Sequence, residues 1–137
     1  MKGPMEDSDK VFALAGRGYC CSQIMVKAGL DAGEEENEAL LDAVAGLCGG
    51  LHAGLCCGIL TGAACLLSLV DKNAAAASMI PALVSWFRST YEPTYGGIEC
   101  RDILGDTPPG RNERCLAMMA ETLGKCRELL AGFGHEL

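Results

Sequence analysis

The chain has 137 residues, half of them hydrophobic and few aromatic, and a formal charge of −7. That length suits one domain spanning residues 1–137. The acidic balance, with scattered Lys and Arg and no basic, aromatic-rich patch, excludes a nucleic-acid partner, and an odd count of nine cysteines excludes a complete intrachain disulfide framework.

In chain order, residues 7–18 read as a first helix. Asp7, Ser8 or Asp9 cap it, and Val11, Phe12, Leu14 and Ala15 fall at helical spacing. A second helix runs from about Cys20 to Ala28, with Gly29 as its C-cap. Asp31 to Gly33 turn, and a third helix spans roughly 34–45, its acidic start (Glu34, Glu35, Glu36) suited to the positive helix N-terminus. Gly46 to Gly54 form a glycine-rich connection, and a long helix covers about 55–69. Asp71-Lys72-Asn73 is the next break. Pro81 belongs in the first turn of a helix ending near Thr90, where Trp86, Phe87 and Tyr91 supply the bulky core. "TYEPTYGG" reads as a loop, Cys100 to Leu104 as one helical turn, and Thr107-Pro108-Pro109-Gly110 as another loop. The last helix covers about 112–131, with Cys115, Met119, Thr122, Cys126 and Leu129 on a heptad-like seam. No segment alternates apolar and polar residues, so no strand is expected. The fold class is all-α, a single-domain bundle of five or six helices.

Met1-Lys2-Gly3-Pro4 leads into Glu6, Asp7 and Asp9 without an apolar signal region. The expectation is a cytoplasmic location, where thiols are mostly kept reduced. From Leu47 to Val70 the only ionisable side chains besides the cysteines are those of His52, and the run is long enough to raise a membrane span. Five glycines interrupt it, and no aromatic or basic anchors flank it. A buried helix behind a glycine-rich loop fits better, and no membrane span is expected. Gly46, Gly50, Gly54, Gly58 and Gly62 stand four apart. Where helical, they leave a groove that another backbone fills, in this chain or across a homodimer.

The cysteines stand at 20, 21, 48, 56, 57, 65, 100, 115 and 126, with no C-x-x-C pair. That removes the thioredoxin motif, zinc-knuckle pairs, ferredoxin runs and haem attachment. Any shared site is therefore assembled from separate elements. In each Cys-Cys pair one side chain is expected to face the core and the other a site. Cys48, His52 and Cys56 have i, i+4, i+8 spacing. They curl round a metal, or else His52 is a loop histidine and Cys48 a small buried hydrophobe. For Cys57 the alternatives are sharper. A place in the first turn of a helix lowers its pKa toward thiolate, whereas burial in apolar packing raises it. Arg101, Arg114, Lys125 and Arg127 neighbour Cys100, Cys115 and Cys126 and suggest surroundings friendly to thiolates. Only two histidines are present, and no phosphate loop or spaced carboxylate pair, so hydrolytic chemistry has no support.

Four segments resemble the C_GCAxxG_C_C family of redox-active proteins. "GYCCSQIM" is similar to its first-cysteine segment and places that cysteine at Cys21. "CGILTGA" is similar to its CGAxxG motif and places Cys57, Gly58 and Gly62, with Ile59 where Ala is usual. "YGGIECRDILG" supplies Cys100 and "RCLAMMAETL" supplies Cys115. The resemblance implies redox activity at Cys21, Cys57, Cys100 and Cys115, and leaves Cys20, Cys48, Cys56, Cys65 and Cys126 outside the pattern.

Three functions follow. In the first, Cys57 as thiolate attacks a disulfide or another oxidant and Cys21 or Cys100 resolves the mixed species, in exchange with a redox partner. In the second, Cys21, Cys57, Cys100 and Cys115 ligate zinc or an iron–sulfur cluster. In the third, the cysteines are core residues of a non-catalytic helical module that dimerises through its glycines.

Overall fold

A computed structural model describes residues 4–105 and 113–137. The Thr107–Gly110 loop expected from the sequence lies outside them. Among the described residues the architecture is all-α, with seven helices rather than five or six, no strand, and one isolated bridge between Cys56 and Glu99.

Helix α1 spans Pro4–Gly16, α2 Cys21–Ala32 and α3 Glu38–Val44. A 3₁₀ turn at Ala45–Leu47 and a π-type turn at Gly50–Gly54 lead to α4, Gly58–Val70. Helix α5 begins at Lys72–Ala74, widens into a π-helical stretch at Ala75–Met79, and continues over Ile80–Tyr95. Helix α6 is the single turn Cys100–Leu104, and α7 spans Glu113–Ala131.

Several boundaries differ from the sequence reading, each for a local reason. Helix α2 runs through Gly29 to Ala32 because Gly29 is a packing glycine; a Cβ there would stand 3.1 Å from Leu66 Cγ. Gly33 closes the helix instead, its N–H donating to the Gly29 carbonyl at 3.3 Å. The acidic block precedes α3 rather than opening it. Asn37 is the cap, its side chain accepting from Leu40 N–H at 3.0 Å. Asp71 breaks the chain as expected and caps α5, accepting from Ala74 N–H at 3.1 Å. Pro81 lacks the N–H its turn would use, and the wider π turn just upstream accommodates it. "TYEPTYGG" is mostly helical, ending at Gly96 with φ +82°. No helix among the described residues is long and apolar enough to cross a membrane.

The main core is built from α1, α2, α4, α5 and α7, around Ile24, Met25, Leu66, Met79, Leu83, Phe87 and Met118. A smaller cluster of Val26, Leu30, Leu41 and Val44 joins α2 to α3. Phe87 and Tyr91 are buried as anticipated and Trp86 is half-buried against them. Helix α1 is tied to α7 by a buried ion pair, in which Arg127 donates to both Asp7 oxygens at 2.6 and 2.7 Å. The glycine groove of α4 is filled within the chain. A Cβ on Gly62 would lie 2.8 Å from Ser22 Cα, and one on Gly58 would lie 2.6 Å from Cys21 Sγ. Helix α2 occupies the groove that the glycine spacing left open to a backbone of this chain or of a second subunit.

Candidate functional site

The close crossing of α2 and α4 builds the site. Cys21 is the first residue of α2, and its sulfur lies over Gly58, the residue after Cys57. Cys57 is the N-cap of α4 rather than part of its first turn, and is 4% exposed. The chain on either side of Cys57 is held by a second segment. Cys100 N–H donates to the Leu55 carbonyl at 2.6 Å, and Cys56 pairs with Glu99. This pairing carries α6, which Cys100 opens, toward the start of α4. Cys115 arrives on the first turn of α7.

The structure thus brings the four sequence-predicted cysteines together. A thiolate at Cys21 or Cys115 would raise Cys57 further, and one at Cys21 or Cys100 would raise Cys115. Cys21, Cys100 and Cys115 line a cavity of about 710 Å³, with Ile24, Leu104, Leu116 and Met119 as apolar wall and Arg101 beside Cys100. Cys57 is not on that wall and is buried.

Burial governs the thiols. Desolvation pushes Cys57 up to about 12, although its sulfur faces the Ile59 and Leu60 N–H groups at the helix start, which pull the other way. The expectation of a Cys57 thiolate is therefore corrected: the helix N-terminus is present, but loss of water outweighs it. Burial likewise raises Cys100, and it raises Cys115 to about 11 against the weaker pull of Arg114. Cys126, in the core, is raised by burial to about 12 despite Arg127. The neighbouring cations thus do not make thiolates of the C-terminal cysteines. Cys21 is also raised by burial, but three backbone N–H groups, those of Gly49, Ser22 and Cys21 itself, oppose the shift.

Cys20 and Cys48, set outside the motif by the sequence, form a disulfide with Cα atoms 6.1 Å apart, and both line the same cavity. Cys48 is buried, as its reading as a small hydrophobe required, but it is bonded. Neither Cys-Cys pair closes on itself; the other seven cysteines are free. After Cys48 the backbone runs left-handed through Gly49, Gly50, Leu51 and His52, with φ between 55° and 63°. His52 bonds the Ala45 carbonyl at 3.0 Å, as a loop histidine. Among the described residues no three His, Cys, Asp or Glu side chains are grouped to hold a metal ion. The Cys20–Cys48 pairing had no spacing signal, because it depends on how the left-handed turn folds back on α2.

A family model described as "Putative redox-active protein (C_GCAxxG_C_C)" matches residues 19–129. No curated protein and no solved structure matches the chain. The match spans most of the sequence, from the disulfide at the head of α2 into the last turn of α7, and the chain belongs to the C_GCAxxG_C_C family.

Proposed function

We propose that this chain is a thiol–disulfide redox protein acting through Cys21, Cys57, Cys100 and Cys115. One observation carries the reading: side chains from four separate elements converge beside one cavity, and three of them line it. Cys21 is the attacking thiol. It alone of the four combines a place on the cavity wall with the first residue of a twelve-residue helix and three backbone N–H groups at its sulfur.

In this reading the Cys21 thiolate attacks one sulfur of an incoming disulfide, RS–SR. A Cys21–SR bond forms, the substrate S–S bond breaks, and RS⁻ leaves and takes up a proton. The thiolate of Cys100 or Cys115 then attacks Cys21 Sγ and displaces the second RS⁻. Two protein thiols become one disulfide, and the substrate gains two electrons and two protons. Cys57 precedes Gly58, over which the Cys21 sulfur lies, so a further exchange moves the disulfide inward with no change in electron count.

The test is a thiol count. Anaerobic protein is incubated with glutathione disulfide, quenched in acid, alkylated under denaturing conditions and mapped by mass spectrometry. The count of free thiols should fall by two, with the new bond joining two of Cys21, Cys57, Cys100 and Cys115, and Cys21→Ser should abolish the change. An unchanged count overturns the reading, as does oxidation directed equally to Cys65 and Cys126. Stoichiometric zinc or iron in the same preparation replaces it with the ligand reading.

A further inference from the structure

Cys20 and Cys48 are absent from the family motif, yet they share the cavity with Cys21, Cys100 and Cys115. Their disulfide is not sealed in the core. Cys20 is half-buried, while Cys48 is 6% exposed, so an incoming group meets Cys20 first. A free thiol stands near the Cys48 backbone. The position a Cβ would take on Gly58 is 2.6 Å from Cys21 Sγ and 3.5 Å from Cys48 Cα. Because Gly58 has no side chain, the Cys21 sulfur and the Cys48 backbone lie against the same small space. A hydrogen-bonding group also waits at the buried sulfur. The Ser22 hydroxyl is 2.9 Å from Cys48 Sγ and 2.6 Å from the Val44 carbonyl oxygen. With the disulfide closed, its one hydrogen goes to the carbonyl, the stronger acceptor. With Cys48 freed as a thiolate, the same hydrogen has a charged acceptor within reach.

We propose that Cys20–Cys48 is a second redox couple of this cavity, reduced by thiol compounds that enter it and linked by exchange to Cys21. The proposal rests on the thiol–disulfide reading of Cys21 given above. A thiolate RS⁻ attacks Cys20 Sγ, a Cys20–SR bond forms, the Cys20–Cys48 bond breaks, and Cys48 leaves as a thiolate beside Ser22. A second RS⁻ attacks the substrate sulfur of the adduct, releasing RS–SR and the Cys20 thiolate. Two substrate thiols are oxidised to one disulfide, and two electrons and two protons reside on Cys20 and Cys48. The link to Cys21 needs no further reductant. The Cys21 thiolate attacks Cys48 Sγ, the disulfide passes from Cys20–Cys48 to Cys21–Cys48, and Cys20 is released as the thiol.

The experiment holds native full-length protein anaerobically in glutathione buffers of graded reduced-to-oxidised ratio, then quenches in acid, alkylates and maps. Cys20 and Cys48 should both pass from disulfide to free thiol, so that all nine cysteines are alkylated at the reducing end, while far-ultraviolet circular dichroism stays native. Cys48→Ser should accumulate glutathione on Cys20, and the wild type at intermediate ratios should yield a Cys21–Cys48 species that Cys21→Ser lacks. A disulfide that resists excess reduced glutathione until denaturant is added overturns the proposal, whether or not any variant folds. Opening without a Cys21–Cys48 species overturns the link to Cys21. The two readings fail separately. If the double variant Cys20→Ser/Cys48→Ser is inert to glutathione disulfide while the wild-type bond still opens, the four-cysteine reading is lost and the second couple stands.

Discussion

At the scale of single residues, the chemistry turns on which term dominates at each sulfur. Cys57 receives two helix-start N–H groups but is almost fully dehydrated, and burial prevails, holding it near 12 against an ordinary 9.0. Its thiolate fraction at neutral pH is then on the order of 1000-fold below that of a free cysteine. Cys100, more open and raised less, stays the readier of the two. Iodoacetamide labelling, followed residue by residue from pH 7 to 9, should rise about tenfold per unit at Cys57, with Cys57 slower than Cys100 throughout. A plateau at Cys57 below pH 8 would show a stable thiolate and reverse this account. The four candidate cysteines were read from the motif segments. Their relative acidity was not, because sequence adjacency to a helix start or an arginine says nothing about water access.

At the scale of elements, glycine spacing meant two different things. Gly58 and Gly62 lie in α4 and let α2 approach until Ser22 backbone fills the groove. Gly50, at the same four-residue spacing, lies in a left-handed turn, where an added Cβ would fall 2.4 Å from the Leu55 carbonyl oxygen. Gly62→Ala forces Cβ against Ser22 Cα and carbonyl at 2.8 and 2.9 Å, and should cost about 1–3 kcal/mol in urea unfolding. Gly124→Ala, inside α7 with only the Asp7 carboxylate at 4.0 Å, should instead gain up to about 1 kcal/mol from helix propensity. Equal effects would mean that the α2–α4 crossing is looser than described. The four-residue period was visible in the chain; its division into groove and turn depended on where α4 begins.

At the scale of the whole molecule, buried thiols couple stability to pH. Cys57 and Cys126 are both raised from 9.0 to about 12, so the folded chain keeps two protons that the unfolded chain releases above pH 9. Their contribution is fully present below pH 9 and is lost as pH climbs toward 12, by about 1.4 kcal/mol per unit for each thiol. Anaerobic urea unfolding should therefore be level with respect to these groups from pH 7 to 8 and fall between 9 and 10, with Cys126→Ala falling less steeply while Cys57 and Cys115 keep part of the slope; no fall would place these thiols in contact with water. The sequence by itself determined the helical class, the isolated turn at Cys100–Leu104 and the family, because periodicity and motif order are local properties. Only the tertiary structure decided that α2 fills the glycine groove, that Cys57 is buried and off the cavity wall, and that Cys48 bonds to Cys20. Each of those depends on a contact between segments far apart in the chain, formed by close packing and burial that no local spacing encodes.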